Sequence, residues 1–188
     1  MKTFILFLLF YSFNLFSQDT IFRYEEKPII GNIVSIDNIM LLYQKGNYIE
    51  DIPIDFVYGY KKDGVKTILY QEKNEPITLL EMDDYVMGRV KGFKDHMPGL
   101  AFSTGFFSSF FYTYYNTRGL TRNPKFSSLA FNVIPPLIFT IIKPKANKKW
   151  SREKRIGYRT SRSEENQKAS LWGGLLGTGF IYALYFTK

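Results

Sequence analysis

Residues 91–115 read KGFKDHMPGLAFSTGFFSSFFYTYY, and the change of texture inside them decides how the chain is organised. Lys91, Lys94, Asp95 and His96 end a polar stretch, whereas Met97 to Tyr115 carries no charge. Pro98-Gly99 marks the break, because neither residue suits a helix interior. The same division runs through the whole chain. Residues 19–96 hold 14 acidic and 10 basic side chains, while residues 97–188 hold 3 and 14. The basic half also contains three long apolar blocks, 99–115, 126–142 and 169–186. The pattern predicts an α+β chain. A small antiparallel β-meander plus an amphipathic helix is followed by a helical membrane module of two to three apolar helices.

Upstream of the break, Thr78 and Glu81 have capping-box spacing. Behind them Leu79, Met82, Val86, Val90 and Phe93 recur at three- and four-residue steps, one apolar stripe of a helix. Asp83, Asp84, Arg89, Lys91 and Lys94 fall mostly off that stripe. Further upstream, residues 20–70 read as short strands. Pro28–Ile36 and Ile39–Gln44 are β-rich and separated by Asp37-Asn38, a hairpin turn. Ile52, Ile54, Phe56, Tyr58 and Tyr60 alternate with other residues, the period of a half-buried strand or strand pair. Lys45-Gly46-Asn47 and Lys62-Asp63-Gly64 supply turns, the second leading into Val65–Tyr70. About five strands are expected, curled as a half-barrel, with a thin core leaning on the helix.

Residues 1–17 read as an export signal. Lys2 is the positive start, Phe4–Phe16 the apolar run, and Ser17 a small residue before Gln18. The run is short for a spanning helix; the alternative is an uncleaved anchor. The sequence has no cysteine, which excludes disulfides, thiol catalysis, cysteine-ligated zinc and a lipid-modified N-terminal cysteine. The expected domains are therefore a signal at 1–17, a periplasm-facing β-rich domain with its helix at 18–96, and the membrane module at 97–188.

Downstream, block one ends in Tyr112, Tyr114 and Tyr115, an aromatic belt suited to a membrane–water interface. Its Phe residues gather on one face, and Ala101, Gly105, Ser108 and Ser109 on another. Block three carries Gly173-Gly174, Gly177 and Gly179, with Gly173 and Gly177 in GxxxG spacing. Small residues on one face permit close helix approach, so Gly105, Ser109, Gly173 and Gly177 are the candidate helix-packing residues. Block two is interrupted by Pro135-Pro136, which remove two amide donors and make it a bent span, or a re-entrant or interfacial segment. The uncharged blocks have a second reading, a soluble helical hairpin with buried Phe and Gly faces.

Between blocks two and three lies the basic stretch 143–168. Lys145, Lys148, Lys149, Arg152, Arg155 and Arg159 are its candidate lipid-facing residues, with Trp150, Ile156 and Tyr158 seating an apolar side at the interface. The bland reading is a solvated loop or surface helix. If all three blocks span and the β-domain is exported, this stretch emerges on the β-domain's side, against the positive-inside rule. Either block two stops short, or the membrane is the outer one. The inner membrane is the default, with the outer close behind. The basic residues lie between apolar blocks, so the pI of about 9.5 does not signal nucleic-acid binding.

These elements resemble a group of uncharacterised bacterial envelope proteins that pair an exported β-rich domain with a C-terminal glycine-rich hydrophobic helical module. The likeness rests on Asp19-Thr20-Ile21, Pro28-Ile29-Ile30-Gly31, Ile52–Gly64, Asp84-Tyr85-Val86-Met87-Gly88, Gly157-Tyr158-Arg159 and Gly173-Gly174 with Gly177. The resemblance brings no activity, cofactor or catalytic residues.

No nucleophile elbow, P-loop, HExxH or dinucleotide fingerprint is present. His96 is the single histidine, and Asp83 and Asp84 lie about three turns earlier on its helix, too far to converge on a metal. Glu25-Glu26 and Glu50-Asp51 read as charges that discourage strand-edge pairing. The expectation is a non-enzymatic accessory or scaffold subunit without cofactor or metal. It would contact membrane lipids and form a homo-oligomer, or join the subunits of an envelope complex, through its small-residue faces. The alternative is a small channel or transporter-like oligomer, which requires a polar seam along a span.

Overall fold

The computed structural model describes residues 18–71, 77–117, 132–142 and 144–187, apart from the side chain of Thr140. Residues 1–17, read above as an export signal, the first part of block two and Lys143 lie outside the described residues. The chain forms two compact units divided between Leu79 and Leu80.

The first unit is a six-stranded antiparallel sheet of β1 (Asp19–Arg23), β2 (Ile29–Ile36), β3 (Met40–Lys45), β4 (Tyr48–Pro53), β5 (Val57–Lys62) and β6 (Val65–Ile68), in the order β4-β3-β2-β1-β5-β6. β1 to β4 make the expected meander. The β5–β6 hairpin then crosses to the far side of β1, which becomes an interior strand that the spacing of turns does not reveal. The alternation from Ile52 to Tyr60 is not one strand. A 3-10 turn at Ile54–Phe56 interrupts it and sends β5 to β1 in place of β4.

Turn chemistry fixes the hairpins. Asp37 Oδ1 accepts from the backbone N–H groups of Ile39 and Met40 at 2.7 Å each, and these bonds, Met40's the stronger, hold its carboxyl below the usual range. Asp63 and Gly64 both take positive φ, at 51° and 84°, as a two-residue hairpin turn requires. A bulge between Ile33 and Ser35 shifts the alternation, so that Ile33 and Ile36 both turn inward while Val34 faces out. Beside it the buried Asp19 Oδ2 accepts from the Ile33 N–H at 2.9 Å. The core is Ile21, Ile33, Leu41, Tyr43, Ile52 and Val57.

The second unit contains α1 (Leu79–Lys94), α2 (Pro98–Asn116), α3 (Ile134–Ile141) and α4 (Arg152–Phe186). α1 groups with this unit and not with the sheet, so the division falls at 79/80 where the sequence suggests 96/97. Its buried face is also rotated from the expected stripe. Gly88, Arg89 and Gly92 are buried together with Val86 and Phe93, whereas Leu79 is exposed.

α4 is a single helix of 35 residues. The basic stretch from Arg152 to Lys168 and the apolar block from Ala169 are therefore one continuous rod, not a loop followed by a span. Ser151 caps it, its Oγ accepting from the Lys154 N–H at 3.2 Å. No glycine or proline stands between Tyr158 and Trp172 to break it, and Glu164-Glu165-Asn166-Gln167-Lys168-Ala169 carries it across the change in composition. Pro135 and Pro136 do not kink a span. They stand in the first turn of α3, where their missing N–H groups cost no intrahelical bond.

Candidate functional site

Two helices in sequence, α1 and α2, run parallel to α4 along its length. Backbone approach comes first. A Cβ on Gly88 would collide with the Lys154 carbonyl, and one on Gly157 with the Tyr85 carbonyl, so only glycine lets α1 and α4 lie this close. Gly92 meets Tyr158 and Ser161, and Ser161 Oγ donates to the Arg89 carbonyl at 2.9 Å. Arg89 is only 3% exposed; its Nη2 lies 2.8 Å from Glu164 Oε2, and its guanidinium sits over the Phe93 ring at 5.4 Å. The expectation that Arg89 lies off the packing face is corrected, because the glycines bring α4 near enough for Glu164 to hold it.

Higher up, α2 and its C-cap present Ala101, Gly105, Ser109, Thr113 and Thr117, all buried and each four residues from the next. α4 answers with Ser170, Gly173, Gly174, Gly177 and Thr178. A Cβ on Gly105 would strike the Ser170 carbonyl, one on Gly173 the Phe102 carbonyl, and one on Gly177 the Phe106 carbonyl. The four candidate packing residues, Gly105, Ser109, Gly173 and Gly177, thus meet in one seam inside a single chain. That seam is filled, so pairing with a second copy would need another face. Gly88 and Gly92 also stand in GxxxG spacing. This signal is in the sequence but escapes a search for apolar stripes, since glycine has no side chain to mark a stripe.

α3 returns antiparallel to α4. Just before its start Thr178 Oγ1 donates to Asn132 Oδ1 at 2.9 Å, and near its end Ser163 Oγ donates to the Phe139 carbonyl. Thr113 and Thr178 hydroxyls lie 3.4 Å apart, extending a polar row that is wholly buried.

The charges are sorted by level. On α4 every charged side chain falls between Arg152 and Lys168. The partner row is charged through α1 to Asp95 and free of charge along α2. The two rows change character together, where the Met97 N–H donates to Asn166 Oδ1 at 2.9 Å. Beyond this level large apolar side chains are exposed on every helix: Phe107, Phe111 and Tyr115 on α2, Ile134 at the start of α3, Trp172, Leu176 and Phe180 on α4. The hydroxyls of Thr104 and Ser108 there bond back to the carbonyls of Leu100 and Thr104, at 2.8 and 2.7 Å.

The basic candidates divide into two groups. Lys145, Lys148 and Lys149 are exposed before α4; Arg152 and Arg159 are exposed on it, and Arg155 is half-buried. Ile156 is exposed, but Tyr158 is buried against Trp150, ring centroids 5.4 Å apart, and so does not seat at an interface. Asp84 lies 3.8 Å from Lys154, and His96 turns its Nδ1 to the Phe93 carbonyl, so these groups face different neighbours. Among the described residues no cluster of three or more His, Cys, Asp or Glu is placed to hold a metal.

Among the described residues α4 is the one helix long and apolar enough to cross a membrane, and only 33% of its apolar window is buried. Comparison with protein families, with curated proteins and with solved structures gives no match for this chain.

Proposed function

We propose that the chain is a non-enzymatic envelope membrane protein, an accessory or scaffold subunit. In this reading its charge-free helical half lies in the bilayer, and its charged half stands in water. The observation that carries this reading is the shared level at which α1–α2 and α4 lose their charges. From Ala169 to Phe186 α4 rises about 27 Å and α2 about 28 Å, close to the ~30 Å hydrocarbon core. The exposed Phe, Leu and Trp side chains suit lipid, and the buried Gly, Ser and Thr suit helix pairing within it. α2 and α4 then cross in the same direction, so the chain between them returns across the bilayer, with α3, about 12 Å long, on that return.

The direction of the helices bears on which membrane this is. The link between β6 and α1 is polar from Gln71 to Glu75, which a hydrocarbon core does not accommodate, and the basic half of α4 lies beside α1. In this reading the basic stretch is on the same side of the membrane as the β-domain, which argues against a block two that stops short. For an exported β-domain this arrangement opposes the positive-inside rule, and so favours the outer membrane over the inner.

The buried polar row of Ser109, Thr113 and Thr178 weighs against a channel, because these groups face the seam within one chain. Alkaline extraction of separated inner and outer membranes tests the proposal. Retention in one membrane fraction supports it, and release into the soluble fraction contradicts it.

A further inference from the structure

On α4, Ile156, Arg159, Thr160, Ser163 and Gln167 recur at three- and four-residue steps and share a face away from the Gly157–Ser161 seam. Pro144, which follows α3, closes this face into a groove of about 320 Å³. The bond from Ser163 Oγ to the Phe139 carbonyl holds the end of α3 beside the groove, and Ile141 and Ile142 at that end are exposed. We propose that this groove takes the phosphate of an anionic phospholipid headgroup; the proposal rests on the membrane reading above.

Three observations carry it. Arg159 is exposed and, among the described residues, makes no ion pair. A guanidinium presents paired N–H donors that match phosphate oxygens. Glu164, the one acid on the wall, is already held by Arg89 Nη2 at 2.8 Å, so its charge is offset. Thr160 adds a hydroxyl beside Arg159, and Ile156 with Pro144 gives an apolar wall for the glycerol carbons.

Level is the third. Gln167 is adjacent to Lys168, the last charged residue of α4, and Arg159 lies about 14 Å below Lys168 along the axis. The headgroup layer adds about 5–7 Å outside the hydrocarbon, so the upper end of the groove, from Gln167 toward Ser163, lies in that layer, and Arg159 marks the groove's lower end. A groove beside apolar Ile142, with a cation at its mouth, is where a lipid phosphate on this side of the bilayer would sit.

The test uses full-length protein in detergent, titrated with phosphatidylglycerol and read by native mass spectrometry. Arg159→Gln is expected to weaken phosphatidylglycerol binding about tenfold, and Arg159→Lys less, because it keeps the charge without the fork. The double variant Lys45→Gln/Lys61→Gln, on the exposed side of the sheet unit, is expected to change binding less than about twofold. Unchanged binding in Arg159→Gln, or an equal loss in the double variant, overturns the proposal. Inorganic phosphate that binds the wild type as tightly as the lipid and is lost in Arg159→Gln assigns the groove to free phosphate and overturns the lipid source. Alkaline extraction of the wild type is run in parallel. Its release from membranes contradicts the membrane reading, whereas retention with unchanged Arg159→Gln binding contradicts the groove alone.

Discussion

The backbone N–H of Met97 donates to Asn166 Oδ1 at 2.9 Å, tying the start of α2 to α4 at the level where both helix rows lose their charges. This bond satisfies one of the amides that a helix start leaves without an intrahelical partner. Asn166→Leu keeps the volume but removes the acceptor, and is expected to cost about 1–2 kcal/mol. Faster hydrogen exchange at the first amides of α2, with the sheet unchanged, is the measurement.

The glycines of the seam differ sharply from those outside it. Gly105→Leu and Gly173→Leu would each push a side chain into the partner's backbone and are expected to destabilise the helical unit by about 2–3 kcal/mol. Gly179 has nothing within 4 Å of its Cβ position, so Gly179→Ala should stabilise by up to about 1 kcal/mol through helix propensity. Thermal melting of the three variants in one detergent checks the contrast, and equal effects at all three positions would contradict the seam.

Arg89 and Glu164 form an ion pair whose side chains are 4% and 40% exposed. Water on the glutamate side screens the pair, so a double-mutant cycle with Arg89→Met and Glu164→Gln is expected to give a coupling of about 1–2 kcal/mol. The single variant Glu164→Gln should be worse than the double, because it takes the Glu164 charge away from a guanidinium that stays buried.

In the sheet, burial, and after it the hydrogen bond to Glu50, pushes the Tyr43 phenol up to about 12. An unfolded tyrosine ionises near pH 10. The contribution is therefore fully present below pH 10, and is lost as pH rises from about 10 to about 12, where the unfolded chain releases its proton and the folded one keeps it. Ultraviolet titration should show a late-ionising tyrosine that is absent in Tyr43→Phe and shifted down in Glu50→Gln.

The strands and turns from Ile29 to Lys45 are legible because Asp37 and Gly46 announce their turns in the residue types themselves. β1 is not, since five residues without an adjoining tight turn give no period to read, and long-range pairing with β5 makes it a strand. Apolar periods find α1 but mislead about its packing face. Hydropathy points to Leu79 and Met82, whereas contact is made where Gly88 and Gly92 have no side chain. Sequence divides α4 at Lys168 for a related reason: composition changes there and backbone preference does not. Of the candidate site, Gly105, Ser109, Gly173 and Gly177 are visible as close-packing positions from residue size alone. Which helices they join is set by parallel register, which no local pattern encodes.

The chain's lack of cysteine allows the central claim to be tested with single introduced thiols. Asp63→Cys in the β5–β6 turn, Lys148→Cys before α4 and Thr187→Cys after it are labelled with a membrane-impermeant maleimide, with the membrane sealed and then opened. The thiols at positions 63 and 148 are expected to react from the same side, and the thiol at position 187 only from the other. Reaction of positions 63 and 148 from opposite sides, or of all three from one side, would contradict a rod that changes from water to lipid at Met97 and Asn166.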